Sequence, residues 1–178
     1  MVVGREQKEA VRGIKQAIQM EIDGKKYYGQ ASKRSNNKLG KELFLWLAAE
    51  EDKHRLIFVG IFDSISKQKG WPEVSINPTR DTILETVFSE AMRAAAATAK
   101  STDKELDSIA GAMDMENKTR EFYRDQSQKV SSESAKKLYS ALAAEERGHY
   151  LALVDYREYL INPAGYFVKT EHHSLDGG

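Results

Sequence analysis

The sequence predicts an all-α fold: a four-helix bundle made of two homologous helical hairpins, joined by a long crossover that carries a short extra helix. Three observations predict it. Long stretches rich in alanine, leucine, glutamate and lysine favour helix. The only prolines, Pro72, Pro78 and Pro163, fall outside those stretches. The chain also repeats itself without a gap, residues 14–59 matching 109–154 at 16 of 46 positions. A single doubling at that distance means two halves of one domain, whereas periods of 20–50 residues would mean a solenoid.

The first helix is expected over about residues 5–33, where Val11, Ile14, Ile18, Glu21 and Tyr28 share one stripe at helical spacing. A polar Ser35-Asn36-Asn37 turn leads to a second helix over about 37–68, whose stripe includes Leu43, Leu47, Glu51, His54 and Phe58. Lys69-Gly70-Trp71-Pro72 through Pro78 should end it. The extra helix is expected at 80–98, with Ile83, Leu84, Val87, Phe88 and Met92 apolar. Ser101-Thr102-Asp103 reads as the cap of a third helix over 103–130. Ser131-Ser132 opens a fourth over 133–160. The domain is therefore placed at 1–160, with a tail at 161–178.

A chain of 178 residues can bury a real core in one domain. It has no cysteine, so disulfides, thiolate nucleophiles and thiolate metal sites are excluded, and any metal must be held by carboxylates and imidazoles. Lys+Arg and Asp+Glu balance at 27 each, which gives no pull toward nucleic acid or an anionic membrane. No apolar run approaches the ~20 residues that span a bilayer. The start, Met-Val-Val-Gly-Arg-Glu-Gln, lacks a signal-peptide core, and a soluble cytoplasmic protein is the expectation.

The repeat carries chemistry. Leu47-Ala48-Ala49-Glu50-Glu51-Asp52-Lys53-His54 returns as Leu142-Ala143-Ala144-Glu145-Glu146-Arg147-Gly148-His149. Each copy holds a Glu-x-x-His, whose two side chains lie on one helix face and can reach one point. Glu21 and Glu116 correspond in the same register, each within an apolar stripe. Two helices offering a Glu and two offering Glu-x-x-His form the ligand set of a dinuclear metal centre inside a four-helix bundle. Four unpaired buried carboxylates would cost several kcal/mol each, and two divalent ions would cancel their charge. The candidate ligands are Glu21, Glu51, His54, Glu116, Glu146 and His149.

Tyr28 and Tyr123 lie two turns beyond Glu21 and Glu116. They read as a hydrogen bond to a ligand carboxylate, a redox-active phenol near the metals, or ordinary core tyrosines. Glu50 and Glu145 could orient the histidine rings or be surface charges. Trp46 and Trp71 read as core and crossover packing, and His172 and His173 as solvated tail residues.

These residues resemble the rubrerythrin branch of the ferritin-like diiron-carboxylate superfamily, over about residues 5–160. The resemblance implies two iron ions bridged by Glu51 and Glu146, with Glu21 and Glu116 terminal and one histidine on each iron. Manganese or zinc could occupy similar ligands. It implies reduction of hydrogen peroxide to water. The absence of cysteine removes the rubredoxin iron site of rubrerythrins proper, so a separate electron-donor protein is expected. A homodimer is expected as well. Thr119 stands where rubrerythrins carry a further ligand glutamate, which leaves a symmetric set of six ligands. The alternatives are a ferroxidase handling iron, an O2-activating oxygenase, and a metal-stabilised structural bundle.

Overall fold

The computed structural model describes residues 2–67, 70–74, 103–163 and 166. The expected extra helix at 80–98, the Ser101-Thr102 part of the cap and the histidines of the tail lie outside the described residues. The described helices are α1 (Val2–Arg34), α2 (Lys38–Ser66), α3 (Asp103–Lys129) and α4 (Glu133–Ile161). The four helices expected to form the bundle are found, with ends shifted by at most three residues where fraying and capping decide.

Local chemistry fixes those ends. Asn37 has extended backbone, and its side-chain oxygen accepts from the Leu39 amide at 2.9 Å, capping α2. Ser132 does the same for α4, its hydroxyl accepting from the Ala135 amide at 3.4 Å. Beyond α2 the chain turns at Gly70, whose φ of 75° suits glycine.

α1 runs along α2 and α3 along α4, forming two hairpins; α1 meets α3 and α2 meets α4 across the bundle. The result is a ferritin-like four-helix bundle. Its interior is divided along its length. One apolar cluster gathers Tyr28, Leu43, Phe44, Leu47, Ile109 and Leu153. The other gathers Ile14, Phe58, Ile61, Tyr123, Tyr139 and Leu142. Along every helix the two clusters are separated by a polar position: Glu21, Glu51 with His54, Glu116, and Glu146 with His149.

A second buried polar group closes one end. Glu105 on α3 accepts from the Ser35 hydroxyl at 2.5 Å and from the Tyr156 phenol at 2.9 Å. Gly40 on α2 lies against the same three side chains. A Cβ there would fall 2.6 Å from Glu105 Oε1 and 2.7 Å from Ser35 Oγ, and closer still to the Tyr156 hydroxyl.

Candidate metal centre

Four helices bring the six candidate ligands into one layer at mid-bundle. Two sets of donor atoms form there. Glu21, His54 and Glu146 make one; Glu51, Glu116, Glu146 and His149 make the other, and Glu146 belongs to both. His54 Nδ1 lies 3.2 Å from Glu146 Oε1 and 3.7 Å from Glu21 Oε2. His149 Nδ1 lies 3.4 Å from Glu146 Oε2 and 3.6 Å from both Glu51 Oε1 and Glu116 Oε2. The two imidazoles stack with centroids 5.6 Å apart. The offset of 95 residues in sequence is thus a near-twofold relation in space, because corresponding helices pack in corresponding ways.

Each set draws on both hairpins. The three-residue set takes Glu21 and His54 from the first hairpin and Glu146 from the second. The four-residue set adds Glu51 of the first hairpin to Glu116, Glu146 and His149 of the second.

The donor atoms fit a metal. Glu21 Oε2, Glu51 Oε1, His54 Nδ1, Glu116 Oε2, both oxygens of Glu146 and His149 Nδ1 are sealed from water without a hydrogen-bond partner. Buried polar atoms are nearly always paired, so this many aimed at one point call for a ligand. Oxygen and imidazole nitrogen without sulfur suit iron, manganese or zinc.

The electrostatics say the same. Burial pushes the Glu21 and Glu116 carboxyls well above the usual carboxylate range, and the neighbouring charges of Glu51 and Glu146 respectively add to it. Burial opposes a charge on His54, but its contacts with Glu146 and Glu21 outweigh burial and raise it to about 10. Burial likewise opposes a charge on His149, and Glu116 overcomes it, raising the imidazole well above its ordinary value. Glu146 resists its burial because both histidines face it, and it is held below the ordinary range. Without metal, protons balance these charges.

Both tyrosines reach the layer. The Tyr28 hydroxyl on α1 donates to Glu116 Oε1 on α3, and the Tyr123 hydroxyl on α3 donates to Glu21 Oε1 on α1. Each phenol bonds the carboxylate of the opposite hairpin. Glu50 and Glu145 are buried rather than surface charges, and a Glu50 oxygen lies 2.5 Å from Lys53 Nζ. Trp71 packs edge-on against Tyr139 at 6.0 Å, in keeping with crossover packing. Trp46 does more than fill core, standing edge-on to the His149 ring at 5.5 Å. Gly24 is the other residue that composition did not signal: a Cβ there would lie 2.5 Å from Glu51 Oε2. Thr119 is buried one turn after Glu116. A surface cleft lined by Arg12, Gln16, Trp71, Gln126 and Lys129 contains none of the six candidate ligands.

No described helix is long and apolar enough to cross a membrane. A family model described as Rubrerythrin matches residues 14–155, which spans both copies of the internal repeat. No curated protein and no solved structure gave a match.

Proposed function

This chain belongs to the rubrerythrin family, and we propose on that premise that it is a cytoplasmic dinuclear-iron oxidoreductase that reduces hydrogen peroxide to water. The observation that supports this reading is the sealed layer of unpartnered carboxylate and imidazole atoms from all four helices. In this proposal Glu21, His54 and Glu146 hold one ion, and Glu51, Glu116, Glu146 and His149 hold the other. Iron is proposed over zinc because the reaction needs a redox-active ion.

The chemistry supplied by a bound ferrous pair is two-electron reduction: hydrogen peroxide takes up two protons and two electrons and leaves as two waters. The chain's residues prepare for it. Tyr28 and Tyr123 fix one oxygen each of Glu116 and Glu21, leaving the other oxygen aimed into the layer. The apolar clusters on both sides exclude water, which strengthens every charge interaction between them. The 178 residues carry no cysteine for an iron–thiolate centre, so the electrons are proposed to come from a separate donor protein. Assembly as a homodimer belongs to the same proposal.

One observation favours a second reading. Thr119 supplies no carboxylate, so the site has one acidic ligand fewer than the rubrerythrin pattern, and oxidation of iron by O2 is the rival reaction. The test is anaerobic. The protein is loaded with ferrous iron, iron is counted per chain, and the sample is mixed with hydrogen peroxide or O2. Two irons oxidised much faster by peroxide support the proposal; faster oxidation by O2 moves the assignment to a ferroxidase or oxygenase. A protein that holds no iron pair ends both readings.

A further inference from the structure

Position 24 is one of the places beside the metal layer where the near-twofold relation breaks. Gly24 follows Glu21 by one turn on α1, and the repeat pairs it with Thr119, one turn after Glu116 on α3. Gly24 is buried, and the Glu51 carboxylate occupies the space its missing side chain leaves. A Cβ at that point would lie 2.5 Å from Glu51 Oε2, 3.0 Å from Cδ and 3.3 Å from Cγ. The whole head of the side chain leans on the α1 backbone. On α3 a threonine side chain is buried at the counterpart position.

The two Glu-x-x-His glutamates differ accordingly. Glu146 has both oxygens sealed without a hydrogen-bond partner and joins both donor sets. Glu51 has only Oε1 sealed in that way and joins a single set, the one with His149. It is also the most exposed of the four carboxylates, at 3% against 0% for Glu21 and 1% for Glu116 and Glu146.

We propose that Gly24 makes Glu51 the movable carboxylate of the centre and leaves Glu146 as the fixed one, so that a small exogenous ligand of the peroxide or azide class enters on the α1–α2 side. The inference rests on the metal reading above. Withdrawn against Gly24, Glu51 vacates space between the donor sets; moved off Gly24, it fills that space. A methyl group at residue 24 removes the withdrawn pose and confines Glu51 to the layer.

The test uses cobalt(II) as the metal and azide as the probe, with binding followed by visible absorption and metal counted per chain. Gly24→Ala is expected to hold two metals and to bind azide ~10-fold more weakly than the unmodified protein, the usual scale for residues that orient ligands. The double variant Gly24→Ala/Thr119→Gly moves the missing side chain to the counterpart position on α3 and is expected to recover azide affinity. A purely disruptive effect of alanine on α1 would not recover. Unchanged azide affinity in Gly24→Ala, loss of a metal from it, or no recovery in the double variant would each overturn the inference while leaving the metal reading standing. An unmodified protein that fails to take up two metals would overturn both.

Discussion

The Tyr28 hydroxyl hydrogen-bonds Glu116, so a phenol from the first hairpin holds a carboxylate of the second. Tyr123 returns the arrangement onto Glu21. Both phenols are fully buried, and burial together with the carboxylate charge keeps the Tyr28 proton on its oxygen, its pKa well above the ordinary phenol value. A phenol that retains its proton is a dependable donor.

Tyr28→Phe fills the same space and leaves Glu116 Oε1 without its donor. The loss of a buried hydrogen bond to a charged group should weaken metal binding by about 10-fold or more and cost roughly 1–3 kcal/mol of stability in the loaded protein. Tyr123→Phe should behave alike through Glu21. Isothermal titration with cobalt(II) and thermal unfolding check both, and wild-type affinity in either variant would remove the positioning role.

Glu146 serves both donor sets and Glu51 one. Glu146→Ala should therefore abolish binding of both metals, whereas Glu51→Ala should retain about one weakly held metal per chain. Metal analysis after desalting distinguishes them. Two metals retained by either variant with unchanged spectra would show that the assignment is wrong.

Metal loading should release protons near neutral pH. In the metal-free protein the Glu21 and Glu116 carboxyls and both imidazoles are raised, so each takes up protons that a divalent ion must displace. Affinity should fall as pH falls, and a pH-stat should record the released acid.

The same shifts set the stability of the metal-free fold. His54 is raised from 6.5 to about 10, so its contribution is fully present below about 6.5 and is lost as pH rises through about 10. Glu21 and Glu116, also raised, act in the same direction. Metal-free protein should therefore unfold at lower temperature as pH climbs from 7 to 10, and metal-loaded protein should lose this dependence. Scanning calorimetry across the range tests it; a metal-free Tm that rises over that window contradicts it.

Gly40→Ala should destabilise the fold by about 1–3 kcal/mol, since its methyl would overpack against Glu105, Ser35 and Tyr156. Metal stoichiometry should be unchanged, because that cluster contains none of the candidate ligands. Chemical denaturation with metal analysis separates the two effects.

The repeat made the metal layer legible because corresponding residues face one interior. Glu21 and Glu116 could be read as inward only because each stood in an apolar stripe and each had a counterpart. What the chain did not disclose were contacts between distant segments. Glu105 looks like one more acid on a charged helix until Ser35 and Tyr156 are brought to it, 70 and 51 residues away. Trp46 has no counterpart in the repeat, where Ala141 stands, so nothing in the register linked it to His149. Gly24 was visible only as a mismatch, and its meaning depends on which way Glu51 leans.

Both donor sets include Glu146, and Glu146 lies on the last of the described helices. A chain emerging from the ribosome therefore has no complete site while α1, α2 and α3 are already outside. A metal held by both donor sets would therefore need α4 to have been made and docked. On the metal reading, the order of synthesis places completion of the site after the first three described helices have been made.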